Sequence, residues 1–282
     1  PMYRELYRFG GVTFALESDA PLERSPVCEA FHVPDGVPDH TICLRFSDAL
    51  PTPPADALRR DDVFRWQAGA QRHLLQWVSA PGDIPHFTYA VTHGAHTDVI
   101  FASAYRTGAS VSTALEAVGL FDVFAARGML VLHSAYIVTS AGEAILFSGP
   151  SGVGKSTQAA LWERCAGARV VNGDRALVDV GKKTANGIFY AGTSGISENV
   201  TAPVRAIVLL GQGSENRVFV PSPQAAFAGV LSQCAYYEWD ARSAEQMTEC
   251  VARLVSDVPV LRMDCLPNAT AVEALRGKLG GI

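Results

Sequence analysis

The chain opens with short segments that alternate apolar and polar positions. Residues 11–16 (GVTFAL) and 41–46 (TICLRF) alternate with period two, which predicts half-buried strands. Pro26, Pro34, Asp35, Gly36 and Pro38 mark turns between them, and Leu50-Pro51-Thr52-Pro53-Pro54 reads as a loop or small linker. Residues 87–92 (FTYAVT) and 98–103 (DVIFAS) predict a strand pair around the turn at residues 93–97. From Ser112 to Ala126 the apolar residues Leu115, Val118, Leu120, Phe121 and Phe124 recur at helical spacing, with Gly128 able to end that helix.

The second half carries longer apolar runs. Residues 129–138 and 143–148 predict adjacent strands of a buried sheet, joined by a turn at Ser140-Ala141-Gly142. A helix over residues 157–165, closed by Gly167, is followed by strands at 169–172 and 176–179 and by a hairpin turn at 183–187. Residues 205–210 (RAIVLL) predict a buried strand, and 259–263 a late one. Residues 223–237, 243–255 and 268–279 predict helices, the first ending on Tyr236, Tyr237 and Trp239. The reading is α/β after about residue 128, with a mixed, strand-rich region before it.

Composition narrows the classes. At 48% apolar and 18% charged, the 282 residues can fill a sizeable core. A net charge of −5 with no basic run argues against sequence-independent nucleic-acid binding, which needs clustered Lys and Arg. The six cysteines form no CxxC pair, so a zinc ribbon or thioredoxin-type site is not indicated, and Cys265 reads as a buried thiol rather than a reactive one. The first residues, Pro1 to Glu5, lack a signal-peptide pattern, and no apolar stretch nears the ~20 residues that cross a bilayer. A soluble chain in a reducing cytoplasm is the expectation.

One segment carries specific chemistry. Gly149-Pro150-Ser151-Gly152-Val153-Gly154-Lys155-Ser156 fits GxxxxGK[ST] without a mismatch, and Thr157 follows. Such a loop turns backbone N–H groups inward around a phosphate, which glycines at positive φ permit. A helix beginning near Lys155 aims its positive end at the same phosphate. Lys155 then bridges the β- and γ-oxygens of ATP, and the Ser156 hydroxyl ligates Mg²⁺.

Asp174, just past the apolar residues 169–172, is the nearest acidic candidate. It can hold Mg²⁺ or take a proton from an attacking hydroxyl. A right-handed crossover through the loop helix would put its strand beside the strand that leads into the loop. Asn172-Gly173-Asp174 is equally a turn signal. Arg175 and Arg205 are cationic candidates for the γ-phosphate. Residues 192–199, polar and glycine-flanked, read either as a ligand-facing loop or as ordinary surface. His93 and His96 have a spacing that suits a turn, with no further ligand clustered beside them in the sequence, so they are not read as a metal site.

With these residues in place, the second half resembles the HPr kinase/phosphorylase superfamily, the P-loop group related to phosphoenolpyruvate carboxykinases. His133 precedes the loop by one strand pair, and Asp174 follows it at a short interval; an ordinary Walker B aspartate lies further along. The resemblance covers about residues 129–275. It implies an α/β P-loop core of HPr kinase/carboxykinase type over residues 128–282, and an accessory, substrate-recognising region over 1–127. It implies an ATP- and Mg²⁺-dependent kinase acting on a hydroxyl of a peptide, protein serine or small molecule, and a homo-oligomer is common among such relatives. Carried over, Lys155 binds phosphate, Ser156 and Asp174 hold the metal, and His133 sits near the transferred group. The chain departs from the family where Gly173 replaces the first of two adjacent aspartates, the residue proposed there as base. An ATP-binding sensor without turnover is therefore the alternative, and HPr is not the expected substrate because its signature is missing.

Overall fold

A computed structural model describes residues 2–49, 51–78 and 86–281. Pro1, and Leu50 of the loop expected at 50–54, lie outside the described residues. The chain divides into two compact units, Pro1–Val123 and Phe124–Ile282.

The first unit follows its alternating pattern into strands β1 (Tyr3–Phe9), β2 (Val12–Ser18), β3 (His32–Val33), β4 (His40–Phe46), β5 (Leu58–Arg60), β6 (Val63–Ala68), β7 (Gln71–Val78), β8 (His86–His93) and β9 (His96–Phe101). A short helix α1 (Pro26–Glu29) lies between β2 and β3. The nine strands form one mixed sheet in the order β3-β1-β2-β4-β9-β8-β7-β6-β5. Its centre is parallel, β2 on β4 and β4 on β9, and the flanks are antiparallel hairpins. The two faces differ as period two requires. Ile42, Leu44, Val99 and Phe101 are buried, whereas Cys43, Arg45 and Asp98 between them are not.

The single helix expected over 112–126 is two, α2 (Val111–Ala117) and α3 (Leu120–Ala125). Gly119 between them turns at φ 67°, which ends the first helix early. Ser110 caps α2 in a capping box with Thr113.

The second unit contains β10 (Met129–Val138), β11 (Ala144–Ser148), α4 (Lys155–Ala166), β12 (Arg169–Asn172), β13 (Arg175–Asp179), β14 (Thr184–Asn186), β15 (Thr201–Gln212), β16 (Arg217–Phe219), α5 (Pro223–Leu231), α6 (Ala241–Asp257), β17 (Val260–Cys265) and α7 (Ala269–Leu279). The strand order is β11-β10-β13-β14-β15-β17-β16. β11 also pairs with β15, so β11, β10, β13, β14 and β15 close into a five-stranded barrel.

This corrects the expected fold class. The unit is not an α/β P-loop core of HPr kinase/carboxykinase type but a strand-rich mixed sheet that curls into a barrel. Among this unit's described pairings only β11–β15 and β15–β17 are parallel. The cause lies in the connections. After α4 the chain runs β12 and β13 in succession along β10, and then β13–β14 and β14–β15 pair antiparallel, with no further helical crossover among these strands. The crossover expectation fails for the same reason: β12 pairs with β10, not with β11.

Other elements differ locally. The hairpin turn expected at 183–187 falls at 180–183, because Thr184–Asn186 is β14. α5 stops at Leu231, so Tyr236, Tyr237 and Trp239 stand outside any helix. Side chains of β11 alternate between two cores. Ala144 and Leu146 join α5 and α6, while Ile145 and Phe147 join α4 and α7. Among the described residues no helix is long and apolar enough to cross a membrane.

Candidate functional site

The loop begins where β11 ends. Ser148 is fully buried, and its hydroxyl donates to the His133 carbonyl at 2.8 Å, tying the loop entrance to β10. Gly149 turns at φ 148°, and a Cβ there would come within 3.0 Å of Val153 Cγ1 and 3.4 Å of the Leu210 carbonyl. Gly154, at φ 113°, is the residue on which α4 starts, and no side chain caps that helix. Its first N–H groups and its positive end are thereby directed to the loop.

Lys155 is buried at 8% exposure, and its ammonium donates to the carbonyls of Gly149 (2.9 Å) and Pro150 (3.1 Å). Burial holds its pKa below the usual lysine value; Asp174 opposes that shift and Arg175 adds to it.

Asp174 reaches the loop by a route no local pattern announces. β12 and β13 both pair with β10, and Gly173-Asp174 is the break between them. The Ser134 N–H donates to the Asp174 carbonyl at 2.9 Å. Buried Asn172 shapes the break: its Oδ1 accepts from the N–H groups of Asp174 and Arg175, both at 2.8 Å. Its Nδ2 donates to the carbonyls of Ile188 and Tyr190 and to Ser197 Oγ.

The Asp174 carboxylate lies 3.7 Å from His133 Nε2 and 3.3 Å from Arg175 Nε. Desolvation depresses the His133 pKa most, and Lys155 and Arg175 act in the same direction. Asp174 and Gln233 oppose them. The imidazole is therefore held neutral at neutral pH, able to accept a proton.

The third wall is the turn Gly192–Ser194. A Cβ on Gly192 would lie 2.8 Å from Asp174 Cγ, so only glycine lets this turn close on the carboxylate. A Cβ on Gly173 would collide with Ser194 Oγ and lie 2.8 Å from Ser194 Cβ. Ser194 thus fills the volume that a side chain at 173 would take. Its hydroxyl donates to the Ala191 carbonyl (2.8 Å) and accepts from the Ile196 N–H (3.2 Å).

One cleft of ≈ 310 Å³ joins these walls. His133, Lys155, Ser156, Thr157, Asp174 and Ser194 line it, with Ser151, Gly152, Gly154, Gly173 and Thr193. Of the residues singled out from the sequence, Gly149 supports the loop from beneath, and Val153 packs toward the α4–α7 core. Arg175 contacts Asp174 and stands 5.4 Å from the Tyr190 ring centre, but does not line the cleft.

Arg205 is excluded as a phosphate ligand. It sits beside the start of β11, roughly 13 Å of strand from the loop end. There it donates to the Leu279 carbonyl and stands 3.9 Å from Glu143. Cys265 is buried, and burial pushes its thiol pKa up. Sequence reasoning passed over Asn172, although the Asn-Gly-Asp turn signal included it, and it left residues 192–199 open between a ligand-facing loop and ordinary surface; Thr193 and Ser194 of that segment line the cleft.

A larger cleft of ≈ 390 Å³ lies in the first unit, between Pro51, Pro53, Pro54, Phe64 and Trp77. Among the described residues Arg59 is the one charged residue lining it, and those residues supply no acid–base pair. The chain matches no protein-family model and no curated protein.

Proposed function

We propose that this chain is an Mg²⁺-ATP-dependent phosphotransferase that moves the γ-phosphate to a hydroxyl of a peptide, a protein or a small molecule. The observation that carries the reading is the facing of Lys155 and the phosphate loop by the His133–Asp174 pair across one cleft. The donor set suits the implied groups. An uncapped helix start and a buried ammonium fit a polyphosphate, and the exposed Ser156 hydroxyl with the Asp174 carboxylate fits a hard cation.

The loop amides and Lys155 would bind and orient the β- and γ-phosphates, and Ser156 and Asp174 would hold Mg²⁺. When bound, Mg²⁺ supplies neutralisation of the charge that builds on the transferred group. The acceptor oxygen bonds to the γ-phosphorus, the bond to the bridging oxygen breaks, and ADP departs. The hydroxyl proton passes to the His133–Asp174 pair, where the depressed His133 pKa keeps a free lone pair at neutral pH. Positioning and preorganised charge account for most of the acceleration expected. The ATP such a reaction consumes agrees with a cytoplasmic setting.

Ser194 beside Gly173 favours one second reading. The cleft has a single aspartate where a kinase of this kind would use two, which suits an ATP-binding sensor that changes partner affinity without turnover. A single experiment separates them. γ-Labelled ATP and Mg²⁺ are incubated with an extract of proteins and metabolites and with intact chain, Lys155→Ala or Asp174→Asn. The kinase reading expects label on one acceptor with intact chain, none with Lys155→Ala, and about 10²–10⁴-fold less with Asp174→Asn at unchanged ATP affinity. ATP binding without transfer to any acceptor selects the sensor. Unchanged ATP affinity in Lys155→Ala overturns both.

A further inference from the structure

The solvent-facing side of the first unit's sheet gathers four metal-ligating side chains that are far apart in sequence. β2, β4 and β9 are neighbours, and their register sets Glu17 beside Cys43 and Cys43 beside Asp98. His96, two residues before Asp98 on the same strand, faces the same way. The ligand atoms of Cys43, His96 and Asp98 lie within 4.8 Å of one another. His96 Nε2 is 3.5 Å from Asp98 Oδ1, and Cys43 Sγ is 3.5 Å from Glu17 Oε2.

We propose that Glu17, Cys43, His96 and Asp98 form a divalent metal site, with Zn²⁺ as its occupant. Bonds of ~2.0–2.3 Å in a tetrahedron place donor atoms roughly 3.3–3.7 Å apart. Two of the pairs already stand at that spacing, and partly exposed side chains can close the rest by small rotations. A sulfur and an imidazole in the set select against Mg²⁺ and Ca²⁺, which take oxygen ligands. On binding, the Cys43 S–H proton leaves to solvent and the thiolate takes the metal.

The neighbouring charges are compatible. Glu17 pairs with Arg4 and Asp98 with Arg45, each at 3.2 Å on partly exposed side chains. Such exposed pairs hold their partners too weakly to exclude a metal. Once the inner oxygens are taken, the two guanidiniums become partners of the outer ones. The position also has a consequence for the fold. β2, β4 and β9 are the parallel centre of the sheet, where no hairpin joins neighbours, and the metal would cross-link all three. The site is independent of the phosphate loop.

The test uses the full chain, stripped with a chelator and titrated with Co²⁺ alone and then Zn²⁺. The expected result is one equivalent of Co²⁺ with a thiolate-to-metal charge-transfer band and tetrahedral visible absorption, both bleached by Zn²⁺. Cys165→Ser, at the exposed cysteine, keeps both signals. Cys43→Ser loses the charge-transfer band. His96→Ala, at a ring 46% exposed, weakens binding by more than the ~10–100-fold that losing an outer partner costs. Absence of the band in the unaltered chain overturns the proposal whatever the variants do. So does a band that survives Cys43→Ser.

Discussion

Gly173 and Ser194 form a complementary pair, one residue without a side chain and the other filling the vacated volume. Gly173→Asp would force Ser194 aside and break its two hydrogen bonds. We expect it to cost about 1–3 kcal/mol, read as a shift of the urea midpoint. Gly173→Asp combined with Ser194→Gly should recover most of that loss. A Gly173→Asp chain as stable as the parent would refute the packing account.

His133 makes a second residue-scale prediction. Its folded pKa lies below the unfolded value of 6.5, so the unfolded chain takes up its proton first. Its contribution to stability is complete above 6.5 and is lost as pH falls through that value toward the folded pKa. The slope of melting temperature against pH between about 5 and 7 should therefore be shallower in His133→Gln. An unchanged slope would show that the imidazole is not held neutral by burial. The same protonation should produce an acid limb in the transfer rate. At this scale the phosphate loop was legible because its requirement is local: three glycines able to turn, then a lysine and a hydroxyl at fixed spacing.

At the element scale β10 organises the site. Its two edges carry β11 on one side and β12 and β13 in succession on the other. The loop and Asp174 therefore meet across β10 rather than side by side, which the crossover argument did not foresee. The hinge is Asn172, whose buried amide serves five partners at the gap between β12 and β13. Asn172→Ala leaves buried donors and acceptors unpaired, each worth roughly 1–3 kcal/mol. We expect about 3 kcal/mol lost in denaturant titration, with transfer falling more than ATP affinity, since Asp174 loosens while the loop does not. Equal losses of binding and transfer would place Asn172 in general stability instead. Strand and helix positions were mostly readable from period, as β11 and α4 illustrate. The breaks were less so. Gly119 splitting α2 from α3 and the early stop of α5 depend on single residues that a helical average smooths over.

At the scale of the whole molecule, the sequence determined that the first part of the chain is strand-rich, that a GxxxxGK[ST] loop stands between a strand and a helix, and that apolar residues suffice for a sizeable core, whereas its α/β reading of the second part was overturned. These follow from local spacing and composition, which act over a few residues. Only the tertiary structure decided that five strands close into a barrel, because closure is a choice of partners for β11, and period-two patterns do not name a partner. It also decided that Ser194 fills the space at Gly173, that Cys43, His96 and Asp98 converge on one face, and that the register sets Glu17 beside Cys43. Those contacts join residues that are distant along the chain. Their positions are fixed by the register and packing of whole sheets rather than by any segment's own preference.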